Sequence, residues 1–316
     1  MGQPQFVAGD WGTTHCRLFL CQADGSVLDT ITGPGAADAR GRFESIFDGL
    51  RAPWQQRYGA LPTILCGMVG SSIGWVQAPY VACPALLKQI AEACVSPPDS
   101  NISIVPGLSC RNRFGAPDFL RGEETQIMGA LLNDAALCRG HHLLCLPGTH
   151  TKWVVLQDGA ISEFLTAPTG EMFALLRDHS VLVRDAAQAA TTLGGESFEQ
   201  GLAEFNRFPQ AQLLHRLFEC RARRLSGEFS SAAAAAFLSG LLIASDIAGA
   251  LQALSPAMNG GSVQLIGAPE LTSLYARALE RHGCASAQFD GAAAAIGGLV
   301  QVYRQLHDEV VINAAH

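Results

Sequence analysis

Two short turns rich in glycine and threonine are the part of this chain best suited to bind phosphate. The first turn contains Gly12, Thr13 and Thr14, and the second contains Gly148, Thr149 and His150. A tight turn of this composition presents several backbone N–H groups on one side, and such a concavity binds anions. One such turn alone is equally compatible with an ordinary hairpin. Two of them, one near the start of each half of the chain, predict a nucleotide held between two lobes.

Charged side chains flank both turns, but the two turns differ in their chemistry. Asp10 precedes the first turn, where its carboxylate could hold Mg²⁺ through water or accept turn hydrogen bonds. Pro147 stands before the second turn instead of an acid. Lys152, one of only two lysines, could neutralise phosphate charge or be a solvated hairpin lysine. His150 could donate to a phosphate oxygen or be a buried structural histidine.

The elements around the two turns occur twice in the same order. The first half contains a strand at 6–9, the turn at 12–14, a second strand at 16–21, an Asp-Gly pair at 24–25 and a third strand at 27–31. The corresponding segments of the second half are 143–146, 148–150, 152–156, 158–159 and 160–165. An Asp-Gly pair between apolar runs indicates a hairpin. This half-chain repeat predicts two duplicated domains.

Helical spacing of apolar residues dominates the second half of the chain. The predicted helices there lie at 198–205, 213–225, 232–254, 271–281 and 292–306. The first half shows the same spacing from 43 to 50, whereas 107–122 is predicted to be a surface loop. We therefore expect an α/β protein with an N-terminal lobe at 1–138 and a C-terminal lobe at 139–316. The final helix, about 291–307, is expected to pack back on the first lobe.

The composition excludes several classes of protein. The chain has 316 residues, 48% hydrophobic and 16% charged, so it can bury enough apolar surface to be folded. A net charge of −7 argues against nucleic acid as a partner. Neither an apolar run of roughly 18–20 residues nor a secretory signal is recognised, so no membrane partner is expected. Ten scattered cysteines without a C-x-x-C pair favour reduced thiols in a cytoplasmic protein.

Two common nucleotide-binding motifs are missing from the sequence. The segment 148–152 lacks the second glycine of G-x-x-x-x-G-K-[ST], so a P-loop is excluded. The absence of a G-x-G-x-x-G segment after a strand weighs against a nicotinamide dehydrogenase. The nucleotide hypothesis therefore depends on the two Gly-Thr turns.

Several segments carry a family resemblance. Residues 10–14 resemble the first phosphate loop of the sugar kinase, heat-shock ATPase and actin superfamily, and 267–270 are similar to its adenosine loop. The more specific segments 66–75, 121–126, 146–153 and 237–243 together resemble the 2-dehydro-3-deoxygalactonokinase family. The likeness covers nearly the whole chain. It implies two duplicated ribonuclease H-like lobes with mixed sheets and a cleft between them.

The resemblance also implies a reaction. Members of the family use ATP, with Mg²⁺, to phosphorylate the 6-hydroxyl of 2-dehydro-3-deoxy-D-galactonate in galactonate catabolism. Phosphoryl transfer depends on positioning and charge neutralisation, which fits the two phosphate turns. The adenosine loop would contribute Gly267, Ala268 and Glu270 to ATP binding.

The acceptor side of the site is predicted from the same resemblance together with the chemistry of individual residues. Glu124, narrowly preferred over Glu123, would be the catalytic base, although acids also simply favour a helix N-terminus. The helix dipole is expected to lower the pKa of this base. Arg121 would bind the substrate carboxylate, with Arg17, Arg111 and Arg113 as alternatives. The substrate loop would contribute Gly67, Met68, Val69, Gly70, Ser71 and Trp75, although a tryptophan such as Trp75 is somewhat more often a core residue.

Two alternatives remain open on sequence alone. One is a kinase for another sugar or 2-keto-3-deoxy acid, because the motifs do not specify the stereochemistry of one hydroxyl. The other is a non-catalytic nucleotide-binding regulator on the same scaffold. The expected partners are a small sugar acid and ATP. The sequence does not specify the oligomeric state, and a homodimer is compatible with it.

Overall fold

The structure is a computed structural model that describes residues 3–183, 194–208, 213–254 and 261–313. The chain divides into two compact units. The first comprises Met1–Gly140, Leu156–Phe164 and Phe289–His316, and the second comprises His141–Val155 and Leu165–Gln288.

The first unit is built on a five-stranded mixed sheet. The strands of this part of the chain, which form two sheets, are β1 (Phe6–Trp11), β2 (His15–Cys21), β3 (Val27–Pro34), β4 (Thr63–Gly67), β5 (Tyr80–Ala82), β6 (Ile102–Ile104), β7 (Gly107–Arg111) and β8 (Pro117–Leu120). The main sheet has the order β3-β2-β1-β4-β6, and a smaller sheet has the order β5-β7-β8. β1 is antiparallel to β2 and parallel to β4. The chain thus starts as an antiparallel meander and continues with parallel strands.

Helices are interspersed with these strands along the chain. They are α1 (Ala36–Ala39), α2 (Phe43–Tyr58), α3 (Leu87–Glu92) and α4 (Glu123–Asn133), of which α1 and α2 pack against β3. β1 is buried along almost its whole length, as expected for a central strand with both faces covered. Trp11, Leu18, Phe47 and Leu65 belong to the resulting core.

The second five-stranded sheet repeats the plan of the first. Its strands are β9 (His141–Leu146), β10 (Thr151–Gln157), β11 (Ala160–Ala167), β12 (Val263–Gly267) and β13 (Ser286–Asp290). Their order is β11-β10-β9-β12-β13, with β9 parallel to β12. β9 and β12 therefore occupy the places of β1 and β4. This repeat confirms the predicted duplicated α/β architecture of the actin-like ATPase fold.

The predicted helices of the second half are present; the helix at 213–225 has the predicted bounds, and the other four are longer than the apolar spacing indicated. The described helices are α5 (Thr169–His179), α6 (Glu196–Arg207), α7 (Leu213–Leu225), α8 (Ser231–Leu254), α9 (Pro269–Arg281) and α10 (Gly291–Asn313). α10 packs along α4 and contacts β1 within the first unit. The predicted loop at 107–122 is wrong in part, because β7 and β8 form an antiparallel pair there.

α8 also corrects an expectation about membrane spans. It is 24 residues long, and by length and composition it could cross a membrane. The sequence prediction that no apolar run reaches this length is therefore wrong. The helix is mostly buried inside the protein, where it packs against α6 and α7. This burial is typical of a core helix, which needs apolar residues on every face.

Candidate active site

Two carboxylates lie near the same cysteine at one edge of the first sheet. Asp10 pairs in register with Cys66 where the parallel strands β1 and β4 end. Burial raises the pKa of the Cys66 thiol well above its usual range, and the nearby carboxylates of Asp10 and Glu124 raise it further. Both acids therefore lie close to the same sulfur. The carboxyl ends of parallel strands are where ligands bind in open α/β sheets.

Asp10 is held in place by its neighbour on the next strand. Arg17 lies opposite Asp10 in the β1–β2 register and donates from Nη2 to its Oδ2 at 2.6 Å. The Asp10 side chain keeps 25% of its surface exposed. It can therefore offer a carboxylate oxygen to a ligand at this edge of the sheet.

The first phosphate turn is held by its own backbone. The amide of Gly12 donates to the carbonyl of His15 at 2.9 Å, so this N–H closes the turn and is not directed at a ligand. Thr13 and Thr14 are exposed, and their amides donate to no acceptor in the described part of the chain. The carbonyl of Gly12 accepts from the amide of Ala36, and the carbonyl of Thr13 accepts from the amide of Ala37. Both donors lie at the start of α1. Thr13 and Thr14 are thus the donors that the turn presents.

Glu124 lies in the first turn of α4 and is fully buried. Its Oε2 accepts from the amide of Gly122 at 2.6 Å, whereas Oε1 has no hydrogen-bond partner among the described residues. Burial, with a smaller contribution from the charge of Glu123, raises the pKa of Glu124 to about 8. The expectation that the helix dipole would lower this pKa is wrong, because desolvation of the carboxylate outweighs the dipole.

Glu123 has a different role from its neighbour. Its Oε2 accepts from the amide of Arg121 at 3.0 Å, and its side chain is only partly buried. This carboxylate stabilises the start of α4, as an acid at a helix N-terminus commonly does. Because its Oε1 accepts no hydrogen bond from the described residues, Glu124 remains the preferred candidate for the base.

Arg121 provides two buried donors without acceptors. Its guanidinium stacks on the ring of Tyr80 at 4.4 Å, and Nη2 donates to the carbonyl of Ala78 at 2.9 Å. Nε and Nη1 are buried and have no partner among the described residues. A buried charged donor without an acceptor is costly. The arrangement is typical of a guanidinium that receives an anionic ligand.

The predicted substrate loop is split between the core and the site. Val69 is fully buried, and Trp75 packs against Phe47 with ring centroids 5.6 Å apart. The side chains of Val69 and Trp75 therefore belong to the core. Gly70 approaches the site, because a Cβ there would lie 2.9 Å from Nη1 of Arg121. The Oγ of Ser71 accepts from the amide of Ile73 at 3.3 Å, which shapes the loop.

The second unit places its phosphate turn beside the predicted adenosine loop. Both follow adjacent parallel strands, β9 and β12. A Cβ on Gly267 would lie 3.5 Å from the carbonyl oxygen of Pro147. Gly267 is buried, whereas Ala268 and Glu270 are exposed at the start of α9. The two loops thus form one edge that a nucleotide could contact.

The second phosphate turn is seated on α5. The carbonyl of Thr149 accepts from the amide of Glu171 at 2.9 Å, and His150 Nε2 lies 2.8 Å from the Glu171 carboxylate. His150 is half exposed, so the alternative of a buried structural histidine is wrong. The amides of Thr149 and His150 donate to no acceptor within the described ranges.

A glycine allows each phosphate turn to touch the next helix. A Cβ on Gly35 would overlap the carbonyl oxygen of Thr13, and a Cβ on Gly170 would overlap that of Gly148. No other residue type could bring the backbones this close. The two units therefore seat their turns by the same contact.

Lys152 is neither solvated nor placed in the turn itself. It is 6% exposed, and its Nζ donates to Thr166 on β11 at 2.9 Å. The solvated-lysine alternative is therefore wrong. Next to the turn, a cavity of about 60 Å³ is bounded by Gly148, Phe173, Leu242 and Tyr275, among others.

Three residues that contact the candidate site residues or the wall of the cavity described above were not recognised from the sequence. Glu171 supports the second turn, Tyr80 stacks on Arg121, and Asp246 accepts three side-chain hydrogen bonds. Asp246 gave the clearest signal, since it is the sole charged residue of the apolar helix α8. Tyr80 gave none, because its partner is distant in sequence.

Comparison with known proteins identifies the family. The family model described as 2-keto-3-deoxy-galactonokinase matches residues 10–302. A Rhizobium meliloti (strain 1021) protein named as a probable 2-dehydro-3-deoxygalactonokinase is 39% identical, covering 95% of this chain and 97% of that protein. The Escherichia coli (strain K12) 2-dehydro-3-deoxygalactonokinase is 32% identical, covering 89% and 91%.

Solved structures agree with this result. A Sinorhizobium meliloti protein named as a 2-dehydro-3-deoxygalactonokinase superimposes with a TM-score of 0.87 at 37% identity, covering 96% of this chain and 99% of that chain. Component A of the Acidaminococcus fermentans (R)-2-hydroxyglutaryl-CoA dehydratase shares the fold, with a TM-score of 0.52 at 9% identity over 96% and 100%. The resemblance seen in the sequence motifs is confirmed: the chain belongs to the 2-keto-3-deoxygalactonokinase family.

Proposed function

We propose that the protein transfers the γ-phosphoryl group of ATP to the 6-hydroxyl of 2-dehydro-3-deoxy-D-galactonate. The products are 2-dehydro-3-deoxy-6-phosphogalactonate and ADP. The observation that carries the proposal is the pair of buried, unpartnered groups in the first unit, Oε1 of Glu124 and the guanidinium nitrogens of Arg121. An anionic acceptor with a reactive hydroxyl would satisfy both.

Arg121 and Glu124 have different roles towards the acceptor: Arg121 binds it, and Glu124 accepts its proton. The buried donors of Arg121 bind the substrate carboxylate by charge-assisted hydrogen bonds. The 6-hydroxyl oxygen attacks the γ-phosphorus, its proton passes to Oε1 of Glu124, and the bond from the γ-phosphorus to the ADP oxygen breaks. A pKa of about 8 suits this role, because an effective general base titrates near the working pH.

Each unit has a turn that is suited to bind phosphate. Thr13 and Thr14 in the first unit and Thr149 and His150 in the second offer exposed backbone amides. Gly267, Ala268 and Glu270 lie beside the second turn and would contact the adenosine. Binding by preorganised amides needs no reorganisation at the moment of transfer.

Asp10 fits a role in Mg²⁺ binding. Its carboxylate is partly exposed at the edge of the sheet, and Mg²⁺ prefers one or two carboxylates together with substrate phosphates and waters. Within the described ranges, no three His, Cys, Asp or Glu side chains form a dedicated metal cluster. When bound, the ion would neutralise charge on the phosphates of ATP. We propose a cytoplasmic enzyme of galactonate catabolism.

The experiment that tests the function is acceptor-dependent release of ADP. ADP formation is followed with ATP and Mg²⁺, with and without 2-dehydro-3-deoxy-D-galactonate, and the product is examined by phosphorus NMR. Turnover that depends on the acceptor and gives a 6-phosphomonoester supports the proposal. Slow hydrolysis unchanged by the acceptor would instead indicate a nucleotide-binding regulator. Stereoisomeric acceptors, measured in parallel, identify the preferred sugar acid.

A further inference from the structure

Asp246 is a charged residue in the middle of the apolar helix α8, and the reaction proposed above does not use it. Its Oδ1 accepts from the indole nitrogen of Trp153 at 2.8 Å. Its Oδ2 accepts from the hydroxyls of Thr169 and Tyr275, each at 2.7 Å. Both carboxylate oxygens are therefore occupied by neutral donors from three different elements: β10, α5 and α9.

A fourth hydrogen bond extends this network to the phosphate turn. The hydroxyl of Thr151 lies 2.8 Å from that of Tyr275. Because the single proton of Tyr275 is directed at Asp246, Thr151 is the donor to Tyr275. Thr151, Trp153 and Tyr275 are almost completely buried. Burial raises the pKa of Asp246, although the hydrogen bonds that it accepts oppose the shift.

The hydroxyl donors of this network belong to elements that surround the turn at 148–150 and the adenosine loop at 267–270. Thr151 directly follows the turn at 148–150, and Thr169 precedes Gly170, on which the carbonyl of Gly148 rests. Tyr275 belongs to α9, which starts at the adenosine loop. Thr169 and Tyr275 also bound the cavity of about 60 Å³ beside the turn. A single carboxylate thus connects the phosphate turn, its supporting helix and the cavity wall.

We propose that Asp246 is a positioning residue for the nucleotide, holding the turn at 148–150 and the α9 wall in the arrangement that binds ADP and ATP. It acts through Thr151, Thr169 and Tyr275 and touches neither substrate. The inference rests on the proposed function for the identity of the ligand. A small displacement of such supports can cost a large factor in binding or rate.

The test compares variants of Asp246 in the full-length protein, with ADP affinity measured by calorimetry. Asp246→Ala removes the acceptor for all three donors, and we expect ADP binding to weaken about tenfold or more. Asp246→Asn keeps an oxygen for Trp153, while the hydroxyls of Thr169 and Tyr275 can rotate to accept from its amide. We therefore expect Asn to restore most of the affinity. Ser245→Ala, one residue earlier on α8, is the matched control.

Steady-state kinetics separate positioning from simple stabilisation. Asp246→Ala should raise the KM for ATP by a similar factor and leave the KM for the sugar acid within about twofold. A lowered melting temperature with unchanged ADP affinity and an unchanged KM for ATP would overturn the proposal. If Asp246→Ala does not fold, Tyr275→Phe and Thr169→Val each remove one donor and keep the packing. Unchanged ADP affinity in both would then overturn it.

The wild-type measurement distinguishes this inference from the proposed function. Wild-type protein that binds no ADP would contradict the proposed function itself. Wild-type protein that binds ADP, together with an Asp246→Ala variant that binds it equally well, would contradict only the positioning role.

Discussion

Glu124 and Gly122 share a hydrogen bond that fixes one carboxylate oxygen, while the other oxygen accepts no hydrogen bond from the described residues. The amide of Gly122 donates to Oε2 at 2.6 Å, while Oε1 is buried without a partner among the described residues. The carboxylate is therefore oriented before any substrate binds. A group held in this way loses little freedom when it accepts a proton in the transition state.

The pH dependence of turnover should report the raised pKa of Glu124. A general base must be ionised, and burial raises the pKa of this carboxyl to about 8. We expect kcat/KM for the sugar acid to increase with pH up to about 8 and then level off. A profile already flat above pH 6 would contradict this prediction, because it would place the essential base at an ordinary carboxylate pKa.

The same burial should make the stability of the protein depend on pH. The pKa of Glu124 is higher in the folded than in the unfolded chain, where it is about 4.3. The folded state therefore binds the proton more tightly, and its stability falls as pH rises from about 4.3 to about 8. Glu124→Gln removes the loss of stability that comes from ionising the buried carboxyl. It should raise the melting temperature more at pH 8.5 than at pH 5, and an equal change at both would contradict the account.

Arg121 should control the affinity for the acceptor. Its replacement by Ala removes the buried donors at Nε and Nη1, so we expect the KM for the sugar acid to rise about tenfold or more. The KM for ATP should change little. Arg111→Ala is the matched control, because Arg111 is exposed and donates to the carbonyl of Gly115. Equal effects of the two substitutions on the acceptor KM would remove Arg121 from the site.

Gly170 should be essential for nucleotide binding because of its contact with the second phosphate turn. A Cβ there would overlap the carbonyl oxygen of Gly148, so Gly170→Ala must displace the turn. We expect weaker ADP binding and a lower melting temperature. Gly249→Ala in α8 is the control, since nothing lies within 4 Å of the added Cβ. That change should be neutral or stabilising by up to about 1 kcal/mol. Equal ADP affinity in the two variants would contradict the prediction.

The sequence predicted the local elements better than the contacts. Apolar alternation and Asp-Gly pairs located the strands around both turns, and helical spacing located α6 to α10, because each of these signals is local. Lys152 and Trp75 show the limit. Whether a lysine bonds a threonine on the next strand, or a tryptophan packs on Phe47, depends on residues distant in the chain.

The electrostatics of the site could not be predicted from the sequence either. The acids at 123 and 124 are adjacent and look alike, and the helix dipole acts on both. Their difference arises from tertiary burial, which encloses Glu124 completely and leaves Glu123 partly exposed. Asp246 is a similar case, since its donors come from β10, α5 and α9.

The most direct test of the account is the turnover number of Glu124→Gln beside that of Glu123→Gln, at saturating ATP and sugar acid. The account predicts that Glu124→Gln lowers kcat by about 10²- to 10⁴-fold, the usual contribution of a general base. ADP affinity should be unchanged, and Glu123→Gln should lower kcat by less than about tenfold, because its carboxylate supports the start of α4. The reverse order, or a Glu124→Gln enzyme with wild-type turnover, would contradict the assignment of the buried carboxylate as the base.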